Sequence, residues 1–281
     1  WTTFRSITNA TPVNHPDAAL IALRIKATDQ LNGVVSNFNC VASSILPDYD
    51  SGTGSWILRE TNNPASIFRA VLEWKANARP VKTSSTVTLL DGTPIPLVGG
   101  GLWLQGDESR VDLDEIEAWH GECEADGRTF NMVRDFTSTI WDTLHDVAAA
   151  GRGRPRHING LWSTVRDIEQ STPKQHFTPR NSWNFSASKN YIVMPHAFRI
   201  RFMNEDEGWQ NDEMIVYDDG YTAANAELFE TLELTGVTNA DQVWKEGRYH
   251  IAVARLRPEI FTFQADIEHI AVTQGDLIRV S

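Results

Sequence analysis

Cysteine is scarce in this sequence, cationic side chains are outnumbered, and long apolar runs are missing. Each shortage excludes a class of protein. The two cysteines, Cys40 and Cys123, lie far apart and show neither zinc-site nor disulfide spacing, so both are expected to be reduced and partly buried. No apolar run approaches the roughly 18 residues a membrane-spanning helix needs, and no basic-apolar-small leader opens the sequence. Asp and Glu number 37 against 25 Lys and Arg, a formal net charge of −12. That balance disfavours tight nucleic-acid binding, which needs clustered cations to displace counterions from phosphate. The one basic cluster, Arg152, Arg154 and Arg156 in GRGRPRH, reads as a solvated loop after a helix. Also missing are GxSxG, HExxH, GxGxxG and the P-loop.

The remaining polar groups do not converge in sequence. His120 and Cys123 stand three apart on a predicted helix, but two ligands do not make a metal site. Glu205-Asp206-Glu207 and Asp218-Asp219-Gly220 lack the alternating ligand ladder of a calcium loop, and Asp-Asp-Gly after a strand is turn chemistry. His176, in QHFTPRNSW beside Thr178 and Arg180, reads as part of an ordered interdomain connector. Paired carboxylates for glycoside hydrolysis are defined by separation in space, which sequence does not display. No catalytic, cofactor-binding or metal-ligating residue is therefore assigned, no cofactor is expected, and the chain does not read as an enzyme.

What is present is core-building material. Hydrophobic residues make up 41% of 281 residues, with ten Trp and twelve Phe, enough apolar area for two or three domains. Trp103, Trp119, Trp141, Trp162, Trp183, Trp209 and Trp244 could form a carbohydrate platform. Most fall in predicted helices or strands beside other apolar residues, so core packing is the preferred reading. Trp1 opens the chain and GDLIRVS closes it in an apparent strand, so both ends are expected to continue in a longer chain.

Rhythm divides the sequence into three parts, an α+β multidomain plan: 1–58 β-rich, 59–172 α/β, and 173–281 β-rich with one helix. In the first, 19–27 and 34–46 alternate like strands around Asn32-Gly33, and DYDSGTGS (48–55) reads as a linker or long loop. In the second, Asn62-Asn63-Pro64 starts a helix carrying Ile67, Phe68, Val71, Leu72 and Trp74. A second helix runs from Asp112 to about Ala125, with Leu113, Ile116, Glu117, Trp119 and His120. Between them, about 84–106 reads as an inserted hairpin turning at Asp91-Gly92. Arg128–Phe136 reads as a strand. Ser138 then caps a helix with Ile140, Leu144 and Val147 on one face and Gly151 as its stop, and a hairpin turns at Asn159-Gly160. In the third part, strands are expected over 195–206, 213–221, 227–237, 259–272 and 277–280. A helix with a capping box from Thr238 to Asp241 runs to about Leu256.

Several long blocks resemble the lambda-type phage tail tip attachment protein J family, the host specificity protein J family. They are ALIALRIKATDQLNG (19–33), NNPASIFRAVLEWKANARPV (62–81), FTSTIWDTLHDVAAAGRGRP (136–155), HFTPRNSW (176–183), PHAFRIRFMNEDEGWQNDEMIVYDDGY (195–221) and GRYHIAVARLRPEIFTFQADIEHIAVTQGDLIRV (247–280). They fall in the same order and cover most of the chain. The resemblance implies the central, hub-like region of a distal tail tip in a virion or prophage product, made in the bacterial cytoplasm. It implies β-barrel domains of baseplate-hub type with a small α/β domain between, and assembly with other tail-tip and tail-tube proteins. The full-length protein is expected to be a homotrimer around the tail channel, and the fragment alone a monomer. The family's receptor-binding portion lies further toward the C-terminus. The 84–106 hairpin departs from the family pattern and is expected to project as an arm toward a neighbour. Three chains would carry about −36, and an acidic lumen would repel passing DNA. A carbohydrate-binding recognition module and a cell-wall-degrading tail enzyme are the alternatives.

Overall fold

The computed structural model describes residues 3–4, 13–14, 40–73, 86–88, 94–96, 110–189, 193–269 and 271–281. The chain forms two compact units, residues 1–42 and 43–281. In the first, β1 (Thr3–Phe4) pairs antiparallel with β2 (Val13–Asn14). The strands expected over 19–27 and most of 34–46 lie outside the described residues.

The second unit is mixed α+β. Among the described residues it has four helices and several small sheets, none closed into a barrel. It opens with a hairpin of β3 (Ile45–Asp50) and β4 (Ser55–Glu60). This corrects the linker expected over 48–55: Asp50 folds the turn back by accepting from the Thr53 hydroxyl at 2.6 Å. Helix α1 (Pro64–Glu73) starts as Asn-Pro predicts, with Asn63 Oδ1 accepting from the Ala65 amide at 3.0 Å. Trp74 lies outside the described residues. Of the inserted hairpin, β5 (Thr86–Thr88) and β6 (Pro94–Pro96) are described and pair antiparallel; the Asp91-Gly92 turn lies outside.

Helix α2 (Leu113–Asp126) is capped by Asp112 and ends at Gly127 in the left-handed region, φ 68°. Helix α3 (Ile140–Ala150) is capped by Thr139, not Ser138, because Thr139 and Asp142 complete a reciprocal capping box. These helices bury Phe68, Leu72, Ile116, Trp119, Leu144 and Val147 in a shared core, each side chain worth about 1.5–3 kcal/mol on burial. Trp119 anchors it. Its ring meets Phe68 edge-on at 5.6 Å, and Nε1 donates to the Gly151 carbonyl at 2.8 Å. A Cβ on Gly151 would lie 2.5 Å from the Trp119 ring, so glycine here serves close approach as well as helix termination.

The predicted strand over Arg128–Phe136 is irregular instead. Its backbone bonds go to separate loops, Phe130 N–H to the Asn62 carbonyl and Asn131 N–H to the Gly236 carbonyl, so no ladder forms. The GRGRPRH segment is not a solvated loop: β7 (Gly153–Ile158) occupies it and pairs with β8 (Leu161–Arg166). Their turn is the expected Asn159-Gly160, with φ of 52° and 80°.

Strand β9 (Gln175–Phe177) carries His176 and pairs in parallel with the chain-terminal β15 (Ile278–Val280). The 195–221 region forms β11 (Ala197–Asn204) and β12 (Gln210–Tyr217), and β13 (Phe229–Glu233) joins β11 in parallel. β11 alternates as predicted, burying Phe198, Ile200 and Phe202. Helix α4 (Ala240–Leu256) packs on this sheet through Val243, Gly247 and Ile251. Its cap is Asn239, which accepts from the Asp241 and Gln242 amides, not Thr238; the Thr238 hydroxyl donates to Glu205 instead. Finally, among the described residues, β10 (Ser182–Lys189) pairs only with β14 (Glu259–Ala265). The long strand expected over 259–272 stops at Ala265, and a single 3-10 turn, Ile267–His269, follows.

Candidate functional site

Two polar clusters and one open surface are candidates. The first cluster is buried. Asp48, at the inward face of β3, accepts from Ser66 Oγ (2.5 Å), Thr61 Oγ1 (2.7 Å), His120 Nε2 (2.9 Å) and Arg59 Nε (2.5 Å). Burial pushes its carboxyl up, but the four donors together hold it below the usual carboxylate range. An ionised Asp48 only accepts, so His120 carries its proton on Nε2. Its Nδ1 is buried with no hydrogen-bond partner among the described residues. Serine, histidine and aspartate thus meet, but in the wrong order for nucleophilic catalysis: Ser66 donates to the carboxylate and not to the imidazole. Ser66 is fully buried and His120 and Asp48 nearly so, which leaves no approach for a substrate. The cluster ties the β3–β4 hairpin to α1 and α2.

Cys123, three residues from His120, does not join it. Its Sγ lies 4.0 Å from the Gly151 carbonyl, and burial pushes the thiol up to about 12. Cys40 is exposed and Cys123 buried, both free, so the expectation of two partly buried thiols is corrected. Among the described residues no group of three or more His, Cys, Asp and Glu is placed to hold a metal ion.

The second cluster lines a cleft of about 710 Å³ between α3, β7, β8, β13, α4 and the 274–276 turn. Arg152 lines it with a left-handed backbone, φ 54°. Its Nε donates to Glu246 at 2.9 Å, Nη2 to the Lys245 carbonyl at 3.2 Å, and the guanidinium lies over the Tyr249 ring at 4.4 Å. Tyr249 donates to Asp167, which also accepts from Arg257. Burial pushes Glu246 up, opposed by Arg152, and burial with the Arg152 charge pushes His250 down. Arg257 holds Asp167 down. Among the described residues no Ser or Cys lines the cleft. Arg152 and Glu246 pair across the seam between α4 and the α3–β7 turn, where Gln242 Nε2 also donates to the Ala150 carbonyl at 3.0 Å. These bonds hold α4 against the α3–β7 turn. Neither the pairing of Arg152 with Glu246, 94 residues apart, nor the Asp48 cluster had a local sequence signal.

The acidic turns are structural. Asp218 pairs with Arg255 and Asp219 with Arg248, and Glu205 accepts from Thr238 and Asn239. The tryptophans divide. Trp119 is buried, Trp162 and Trp209 are partly buried, Trp103 lies outside the described residues, and Trp141, Trp183 and Trp244 are exposed. Core packing therefore does not account for all of them. The exposed three sit on α3, β10 and α4. Trp141 meets Trp162 at 60°, not as a coplanar platform.

The open surface is apolar side chains exposed on two of the described strand pairs. Ile45, Ile57 and Leu58 on β3–β4 and Trp183, Phe185, Ile260 and Phe261 on β10–β14 are exposed.

Comparison with known proteins adds a distant likeness. No protein-family model and no curated protein matches the chain. Among solved structures, a tail protein from Neisseria meningitidis MC58 is similar over 54% of this chain and 48% of that one, at 12% identity and a TM-score of 0.42. The matched part thus spans about half the length of that protein. No helix among the described residues is long and apolar enough to cross a membrane.

Proposed function

We propose that this chain is a structural component of the distal tail tip of a phage or prophage, a hub segment around the tail channel that supports host attachment and DNA passage. The observation that carries its role in an assembly is the unfinished β structure. Among the described residues the β10–β14 sheet has two strands and exposed apolar side chains, a state that association with other chains would complete. The tail-tip assignment rests on the ordered sequence blocks. On this reading three copies surround the channel, barrel-type sheets close between chains and beside further tail-tip and tail-tube proteins, and the β5–β6 hairpin reaches a neighbour. The excess of acid keeps the lumen from holding DNA. The chain works in the virion after synthesis in the bacterial cytoplasm, without catalysis of its own.

Deleting the coding region from a producing phage tests this. The expected result is tails that lack a distal tip and particles that no longer infect, with recovery on complementation. Normal tails on infectious particles would overturn the proposal.

A further inference from the structure

The basic run GRGRPRH has no part in the function proposed above. In a chain with 37 acidic side chains against 25 Lys and Arg, its Arg152 and Arg154 both line the cleft of about 710 Å³. The other charges of the cleft are already paired. Glu246 is held by Arg152 and Asp167 by Arg257. Asp146 pairs with Arg134, Asp276 with Lys174, and Arg166 with Glu115 and Glu122. Glu233 is exposed and lies opposite Arg201 in the strand register. Arg154 differs. Its carbonyl accepts from Thr164 at 3.3 Å, but among the described residues its exposed guanidinium has no hydrogen-bond or ionic partner. Two more donors share that state. Arg152 uses Nε on Glu246 and Nη2 on the Lys245 carbonyl, and its Nη1 has no partner among the described residues. His250, one turn beyond Glu246 on α4, meets the Tyr249 ring edge-on at 5.5 Å, and among the described residues its ring nitrogens make no hydrogen bond. Burial and the Arg152 charge push His250 below the ordinary imidazole range, so at neutral pH its ring is uncharged and offers one N–H. Apolar walls accompany these donors, from Ile168, Leu232 and Leu234.

We propose that this cleft binds a small organic acid, a monocarboxylate carried on an apolar or aromatic body. Arg154 and Nη1 of Arg152 take the carboxylate, His250 supplies a further donor, and the body lies against the apolar walls. Three features select this chemistry. The volume falls within the roughly 300–1,000 Å³ of small-molecule sites, which join apolar walls to a few placed polar groups. Guanidinium N–H groups match the planar oxygens of a carboxylate. Glu246 and Asp167 line the same cleft, so a second negative charge on the ligand is repelled and a monoanion is preferred to a phosphate dianion. The site is independent of the tail assignment and uses side chains that the proposed function leaves without a role.

The test is a titration of the isotope-labelled whole chain, followed by nuclear magnetic resonance, with benzoate, its neutral analogue benzamide and inorganic phosphate, each up to about 10 mM. Benzoate is expected to shift the resonances of Arg152, Arg154, Tyr249 and His250 saturably. Benzamide should leave them in place, and phosphate should bind more weakly than benzoate. Arg154→Gln, at an exposed position without a side-chain partner, is expected to weaken benzoate about tenfold. Arg180→Gln removes the same charge at an exposed position outside the cleft and should leave benzoate affinity unchanged. No saturable shift at the cleft overturns the proposal. So does equal binding of benzamide, tighter binding of phosphate, or a loss that is the same in both variants. Should Arg154→Gln disturb the fold, the wild-type shift pattern and the comparison of benzoate with benzamide decide. Tails that form normally without the chain would contradict the proposed function and leave the cleft result standing.

Discussion

Nε2 of His120, on α2, donates to the carboxylate of Asp48, on β3, across 2.9 Å and 72 positions of sequence, with both side chains buried. Ser66, Thr61 and Arg59 converge on the same carboxylate, so one charge organises the hairpin, α1 and α2. Asp48→Asn removes the charge and turns one acceptor into a donor facing donors. It should destabilise by about 2–4 kcal/mol at neutral pH, read from urea unfolding. Because the folded Asp48 carboxyl lies below its ordinary 3.8, its contribution is complete above that value and lost as pH falls through the lower folded value. The gap between variant and wild type should therefore narrow in strong acid. A gap that is constant with pH would contradict this role.

Arg152 and Glu246 form the corresponding tie at the α4 seam. Arg152→Ala leaves Glu246 buried without its counter-ion and should cost about 2–4 kcal/mol. Adding Glu246→Gln should restore part of that loss. A double-mutant cycle showing independent effects would contradict a coupled pair.

Two glycines in helices should respond in opposite directions. A Cβ on Gly247 would lie 2.7 Å from Ile200 and 2.8 Å from Val216, whereas one on Gly121 meets nothing within 4 Å. Gly247→Ala should destabilise by about 1–3 kcal/mol, and Gly121→Ala should stabilise by about 0.5–1 kcal/mol. Thermal midpoints check both.

The thiols should separate by reactivity. Cys40 is exposed, while Cys123 is buried with its pKa pushed up to about 12. Mass spectrometry after a short maleimide pulse at neutral pH should find one adduct on the native chain and two after denaturation.

Local structure was largely legible because it depends on near neighbours. The Asn159-Gly160 turn, the Asn63-Pro64 start and the alternation of Phe198, Ile200 and Phe202 each follow from residues a few positions apart. Reading failed where distant partners decide. Arg128–Phe136 has strand-like composition, but its amides are claimed by Asn62 and Gly236. Residues 48–55 look like a linker because turn residues dominate, while the strand ends and the buried Asp48 are fixed by α1 and α2. Arg152 reads as a surface charge until α4 brings Glu246 and Tyr249 beside it. Trp183 reads as core with the other tryptophans because apolar side chains usually find cover within their own chain, yet it is 47% exposed.

Gold-labelled antibody against this chain, applied to purified particles and imaged by electron microscopy, tests the central claim most directly. Label confined to the distal end of the tail is the predicted result. Label along the tube, on the head, or absent from intact particles would contradict the account.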